Sequence, residues 1–404
     1  MLTQVNFTIA NGGLGRTSSV KDGYSCLVEF SDEIATLTTF TATNNILKFN
    51  TLAEVEATGI VSTDVNFKYL HYQASEFFRM GGSDLFIAIF PAHISTNIGD
   101  IDDIIAEYQA AIESVITFTN GDVRLFAINS YEVDFSTLAV LGLQTSADRA
   151  LELKKPIHIF YSAVFDGLTL SAMPNLTAMS NDAPNVSVTN SGDSATFATY
   201  GMVLGNVGAL MGAASSTDVA TNILYVSKFN YASGGKMVEP CVMTADGTDG
   251  FIKVSDALFT KEVADALAEK AYIFYRFLAN VAGTFISNDY TAVSSTNDVY
   301  AVRLSRTLGK AIRLVDGSLS QLLGSKIKPS VSGTLSRPSA AGIENAVNSV
   351  LTTMVTALEL SAFKVVVDTT TVIVGTGIIN LTVRLQPMGS SDYFDVNLGF
   401  SANV

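Results

Sequence analysis

The chain is 404 residues long, 48% hydrophobic and 15% charged, with a formal net charge of −14. That is too apolar for a disordered chain and long enough for more than one core. The acidity argues against binding nucleic acid, and two cysteines make neither a disulfide framework nor a tetrahedral zinc site.

Charge is uneven along the chain. Residues 1–250 hold 11 Lys+Arg against 26 Asp+Glu, whereas residues 251–404 hold 13 against 12. Such asymmetry points to two regions with different surroundings. The opening MLTQVNFTIANGG lacks the basic flank and apolar run of a signal peptide, so cytosolic synthesis is expected.

In chain order, residues 4–10 alternate, with Val5, Phe7 and Ile9 on one side, and run into Asn11-Gly12-Gly13-Leu14-Gly15. The pattern predicts a short strand followed by a joint, with Gly12, Gly13 and Gly15 as the hinge. A strand near Tyr24–Phe30 and a helix near Asn66–Met80 come next. Leu85–Phe90 is a continuous apolar run, as a buried strand requires. Asp100–Thr117 repeats Ile101, Ile104, Ile105, Tyr108, Ile112 and Val115 at helical spacing, with acids at the start to complement the dipole. Val123–Ile128 reads as a strand, Ser146–Leu153 as a short helix and Ile157–Tyr161 as another strand. This alternation implies right-handed crossovers and a mainly parallel sheet.

Residues 164–195, rich in Ser, Asn, Pro and Thr, are expected to be surface connections. Ser194–Thr217 has no charge and carries Gly201, Gly205, Gly208 and Gly212 at helical spacing. Thr196, Thr199 and Asn206 interrupt it, so it is too short to cross a bilayer; a smooth helix lying close against a sheet is expected. A strand near Ile223–Val226 follows.

Beyond Gly250 three amphipathic helices are predicted, at Asp256–Val281, Val302–Leu323 and Ala340–Leu360. Strands at Lys364–Val367, Thr371–Val374 and Ile378–Leu385 come after them, with a turn at Gly375-Thr376-Gly377. The chain closes on Tyr393–Phe400, where Phe394, Val396, Leu398 and Phe400 share one side. Each end therefore reads as a lone strand, which is unstable without a sheet edge to join.

The helix at Val302–Leu323 is unusual. Arg303, Arg306, Lys310 and Arg313 are spaced 3, 4 and 3, which puts them within roughly a quarter of the circumference. Leu304, Leu308, Ile312, Val315, Leu319 and Leu322 occupy the opposite arc. A basic face on an acidic chain invites an acidic partner; a solvated helix surface is the alternative.

No catalytic or metal signature emerges. His71, His93 and His158 are widely separated, and His158 reads as a core residue within a strand. Cys26 and Cys241 have no activating neighbour in sequence. Asp100, Asp102 and Asp103 lack the spacing of a calcium loop and read as helix-start acids. No cofactor and no metal are expected.

Several segments together resemble the contractile tail sheath family of phages and related injection particles. They are the turn Phe77-Phe78-Arg79-Met80-Gly81-Gly82 leading into a strand (Met80 standing where the family has Asn) and the glycine-striped helix ending at Asp218. They continue with Asn288-Asp289, the basic helix, Lys326-Ile327-Lys328-Pro329, Gly333-Thr334-Leu335 and the helix near Ile343-Glu344. Val383-Arg384-Leu385-Gln386-Pro387 and the last strand complete the likeness.

The resemblance implies an α/β (α+β overall) protein: an N-terminal linker arm (1–22), an outer α/β domain with a mainly parallel sheet (23–250), an inner sheath domain of helices and strands (251–385) and a C-terminal arm (386–404). It implies a non-enzymatic subunit that polymerises as stacked hexameric rings and contracts to drive an inner tail tube through a cell envelope. Both arms would complete sheets in neighbouring subunits through Val5, Phe7, Ile9, Phe394, Val396, Leu398 and Phe400. Arg303, Arg306, Lys310 and Arg313 would face the tube. The implied partners are further copies of the chain, the tube protein, and baseplate and tail terminator proteins, without nucleic acid or membrane insertion. Assembly would occur in the bacterial cytoplasm, within a virion tail or injection particle. The alternatives are another self-assembling shell or surface-layer subunit and an α/β enzyme.

Overall fold

The computed structural model of the chain describes residues 21–92 and 101–392. The expected terminal strands (Val5, Phe7, Ile9; Phe394, Val396, Leu398, Phe400), the hinge at Gly12, Gly13 and Gly15, and also His93 and Asp100, lie outside the described residues.

The first half of the chain runs β1 (Ser25–Phe30), β2 (Ile46–Phe49), α1 (Leu52–Glu56), α2 (Lys68–Arg79), β3 (Leu85–Phe90), α3 (Ile101–Phe118), β4 (Leu125–Asp134), α4 (Thr137–Glu152) and β5 (His158–Val164). Then come β6 (Val186–Thr189), β7 (Ser191–Asp193), α5 (Ala195–Tyr200), α6 (Val207–Ser215), β8 (Pro240–Met243) and β9 (Phe251–Lys253). The remainder is α7 (Lys261–Glu269), β10 (Tyr272–Ile273), β11 (Tyr275–Leu278), β12 (Val281–Ile286), α8 (Val302–Ser320), α9 (Arg337–Thr356), β13 (Leu360–Val367) and β14 (Leu381–Pro387).

The main sheet has seven strands in the order β10-β6-β5-β4-β1-β3-β2, and only β2 is antiparallel to its neighbour. Its apolar strands are buried on both faces, as a parallel sheet demands. Cys26, Val28, Phe126, Ile128, Ile159 and Tyr161 point to one side, under Ile104, Tyr108 and Ile112 of α3 and Val140 and Leu143 of α4. Leu27, Ile87, Leu125 and Phe160 point to the other, under Leu70 and Phe77 of α2 and Leu210 and Met211 of α6. The expected α/β class and parallel sheet are therefore observed. The sheet takes its last strand, β10, from beyond Gly250, where the composition changes.

Four expectations need correction. Residues 164–195 are not only surface connections, because β6 (Val-Ser-Val-Thr) is wholly buried between β5 and β10. Ile223–Val226 is a pair of turns rather than a strand. The helix expected over Asp256–Val281 is confined to α7; Ala271, at φ +66°, ends it and the chain turns into β10 and β11. Thr371–Val374 is no strand, but a lone bridge from Val372 to Thr334 that leads into the predicted glycine turn.

The glycine stripe is divided. Gly201, at φ +81°, ends α5, and only Gly208 and Gly212 lie within α6. Their bare faces meet helix α2 rather than a strand: a Cβ at Gly208 would collide with the Gln73 carbonyl, and one at Gly212 with that of Phe77. Polar groups fix the register of this contact. Gln73 Nε2 donates to the Gly205 carbonyl at 2.8 Å, and its Oε1 accepts from Gly208 N–H at 2.8 Å. Asn206 caps α6 through Ala209 N–H and donates to the buried Glu76, which also pairs with Arg79 at 2.5 Å.

Gly212→Ala should therefore destabilise the protein by about 1–3 kcal/mol, because the backbones must separate. Gly342→Ala, in α9 with no atom within 4 Å of the added methyl, should stabilise it by roughly 0.5–1 kcal/mol. Urea midpoints of the two variants check both signs.

Candidate functional site

Helix α8 lies with its cationic side inward. Arg303 and Arg306 are 5% and 6% exposed, whereas Leu308 on the opposite arc is 39% exposed. The helix starts where Val302 N–H donates to the Asp289 carbonyl at 2.8 Å, which presents Arg303 to the same residue's carboxylate. Arg303 Nη1 donates to both Asp289 oxygens at 3.0 Å, and its Nη2 to Asp392 at 3.2 Å. Arg306 donates from Nη1 to the Asp218 carbonyl and from Nη2 to that of Thr217, each at 3.2 Å. Those carbonyls lie just past α6, so the guanidinium meets the negative end of that helix. Lys310 bridges Glu359 at 2.6 Å and Asp22 at 2.8 Å, and Arg313 also binds Asp22.

The basic face expected to meet a tube is thus engaged within its own chain, and the proposed facing of Arg303, Arg306, Lys310 and Arg313 is revised accordingly. Burial pulls the Arg306 guanidinium down to about 10 and lowers that of Arg313. Burial likewise holds Asp289 and Glu359 above the usual carboxylate range, against the opposing pull of Arg303 and Lys310. Taking ions out of water costs several kcal/mol each, so such groups persist only when paired and hydrogen-bonded. The acids that satisfy them come from remote positions: Asp22 precedes the sheet, Glu359 joins α9 to β13, and Asp392 closes the described chain. Proximity in sequence does not reveal them; of the acids that meet α8, only Asp289 lies in a stretch, Asn288-Asp289, that the sequence itself marks.

A second network runs through Ser305 of α8 to the buried His158 of β5. Ser187 Oγ donates to the Tyr290 carbonyl at 2.8 Å and so accepts from His158 Nε2, 3.2 Å away. Asn185 Nδ2 donates to Ser305 Oγ, which leaves the Ser305 proton for His158 Nδ1 at 3.2 Å. The network therefore assigns a neutral imidazole protonated on Nε2. Burial and the nearby Arg306 charge lower its pKa from 6.5 to about 3.

The C-terminal part carries a different feature. Strands β13 and β14 pair antiparallel from Phe363↔Leu385 to Val367↔Leu381 as a two-stranded sheet, with no third strand among the described residues. Phe363, Val365, Val383 and Leu385 pack on Val347, Leu351 and Met354 of α9. Lys364 stands opposite Arg384 on the outer face, both exposed. Beside this hairpin Leu319, Leu322, Leu323, Ile343, Ile373 and Ile379 line an apolar groove of about 550 Å³.

The usual ligand crevice of an α/β sheet, at the C-terminal strand ends where the chain order reverses, is filled. There β1 and β4 enclose about 20 Å³, and Tyr131 Oη donates to the buried Glu29. That volume suits a water, not a substrate. Burial pushes the Cys26 and Cys241 thiols up, away from nucleophilic thiolates. Among the described residues no cluster of three His, Cys, Asp or Glu side chains could hold a metal ion, and no helix is long and apolar enough to cross a membrane.

Comparison with solved structures places this architecture. The sheath complex of an extracellular contractile injection system (PVC), in its contracted state, aligns with a TM-score of 0.62 at 13% identity, covering 100% of this chain and 98% of that one. The contracted helical sheath of the anti-feeding prophage aligns at 0.61 with 14% identity and 99% of both chains. A sheath tail protein from Listeria innocua aligns at 0.50 with 9% identity, covering 90% of this chain and 95% of its own. No family model matches the sequence, and no curated protein matches it. The chain has the contractile tail sheath fold.

Removing Arg303 strands Asp289, its buried ion-pair partner, and a carboxylate at position 306 would be buried unpaired against the Thr217 and Asp218 carbonyls. Arg303→Met and Arg306→Glu should each cost about 3–5 kcal/mol, read as a loss of thermal stability in the isolated subunit. A solvated or partner-facing helix surface would instead leave the subunit's melting temperature unchanged.

His158 sets a pH dependence. Its folded pKa lies below its unfolded value, so its contribution is fully present above pH 6.5 and lost as pH falls toward 3. Between those limits the wild type should lose stability more steeply than His158→Gln, by up to about 1.4 kcal/mol per pH unit. Chemical denaturation at a series of pH values reads the difference.

Proposed function

We propose that this chain is a structural subunit of a contractile sheath, self-assembling into a helical polymer around an inner tube. The observation that carries the reading is the β13–β14 hairpin, which packs one face on α9 and has no third strand among the described residues. An unpaired sheet edge is a template for another chain's strand, with backbone hydrogen bonds for strength and alternating side chains for register. The sheath fold extends through this hairpin in the aligned structures, which cover 98–100% of both chains for the two injection-system sheaths.

In this reading residues 1–20 and 393–404 are the exchanged strands, with Val5, Phe7, Ile9, Phe394, Val396, Leu398 and Phe400 setting their register and Gly12, Gly13 and Gly15 giving them play. The roots of both segments are fixed on α8, Asp22 by Lys310 and Arg313 and Asp392 by Arg303. Arg303 and Arg313 are ten residues apart, about 15 Å along one rigid helix. A pull on one chain end therefore reaches the other through a single element, as a load-bearing link requires.

The tube, baseplate and tail terminator are the partners this role brings. The tube meets cations other than those first assigned to it. Lys364 and Arg384, a like-charge pair that disfavours its own hairpin by a few tenths of a kcal/mol, gain most from an acidic surface. Stacked hexameric rings would relax from a trapped extended lattice to a wider one, without nucleotide.

Deleting residues 393–404, or residues 1–20, should leave a subunit with unchanged circular dichroism that forms no tubes in negative-stain images. Normal tubes from both truncations would overturn the strand exchange.

A further inference from the structure

Between α8 and the sheet lies a small cavity of about 20 Å³ that the proposed function does not use. Three guanidiniums line it, Arg124 from the start of β4 and Arg306 and Arg313 from α8, against one carboxylate, Asp22. His158 also faces it and is neutral by the hydrogen-bond assignment above. The lining carries two excess positive charges.

Two of these arginines retain donors without acceptors. Arg306, 6% exposed, uses Nη1 and Nη2 on the Asp218 and Thr217 carbonyls, and its Nε has no partner. Arg124 donates from Nη1 to the Gly121 carbonyl, and its Nε is likewise buried and unpartnered. Leaving a buried donor unsatisfied is costly, more so on a charged group. The rest of the wall, including Pro156, Ile157 and Val219, offers apolar surface.

We propose that this cavity binds one small inorganic anion of chloride size, held by Arg124, Arg306 and Arg313. A water would accept the two orphaned hydrogen bonds yet leave the excess charge in place. A monatomic anion does both. The volume admits a single particle of that size and excludes phosphate or sulfate, whose four oxygens need more room. Burial is the main cause that lowers the Arg124 and Arg306 guanidiniums to about 10; the Arg313 charge adds to it, while Asp22 and other carboxylates, Asp122 for Arg124 and Asp218 and Glu359 for Arg306, pull the other way. The ion would bind where Asp22, the root of the N-terminal segment, meets α8 and the sheet, and would lock that junction.

The test uses the purified full chain at fixed ionic strength, with sodium chloride exchanged for sodium gluconate, whose anion is too large to enter. Chloride should raise the melting temperature saturably, as ligand linkage requires, and bromide should replace it. Arg124→Gln, at the less buried side of the cavity, should weaken the apparent chloride affinity at least about tenfold, the effect of losing one charge-assisted hydrogen bond. Crystals of the wild-type chain in bromide should show an anomalous peak between the three arginines, a readout independent of any variant's folding. Equal melting in chloride and gluconate, an undiminished chloride response in Arg124→Gln, or no bromide peak would each mean that the cavity holds only water.

Discussion

The structure is organised by the cost of burying four positive charges along one helix. Each of Arg303, Arg306, Lys310 and Arg313 must find an acceptor away from water, and the acceptors are supplied by segments that have nothing else in common. Asp22, Asp289, Glu359, Asp392 and the carbonyls past α6 all converge on α8. Replacing such a cluster by well-packed apolar side chains is often neutral or stabilising, so its worth lies less in free energy than in specificity. An apolar α8 could slide or rotate against the sheet; a helix that must align each cation with a particular acceptor cannot. That requirement fixes both ends of the described chain relative to one rigid rod.

Much of the architecture was legible from residue patterns because the parallel sheet is written in long apolar runs. Leu85–Phe90 and the helices beneath it follow from periodicity alone, and the stripe of Gly208 and Gly212 announced a close approach. What failed had physical causes. The Val-Ser-Val-Thr strand β6 is buried yet half hydroxylic, its Ser187 satisfied by the Tyr290 carbonyl, so composition placed it on the surface. The helix expected across Asp256–Val281 stops where Ala271 adopts a positive φ, which an apolar period does not register. The basic face misled for a deeper reason. Polar-outward reasoning assumes that charges lack internal partners, and the partner of Arg313 lies 291 residues away, at Asp22.

The same inversion explains why the opposite arc of α8 is unusual. Leu304 and Ile312 are only half buried and Leu308 is exposed, whereas Val315 and Leu319 farther along pack against the α9 and hairpin side chains. The helix is thus clamped ionically in its first half and hydrophobically in its second. Identities of 9–14% with solved sheath structures show that the fold persists when most side chains differ. Layer order and strand register are backbone properties, which many sequences can satisfy.

The central claim is that this hairpin is completed by segments of other copies of the same chain. A cryo-electron microscopy map of the assembled polymer, resolved well enough to trace backbone, tests it most directly. The account predicts that β13 and β14 sit within a larger sheet whose outer strands trace back to neighbouring subunits, while Arg303, Lys310 and Arg313 stay paired within their own. A map in which both ends of each chain fold onto their own subunit, leaving the hairpin two-stranded, would contradict it.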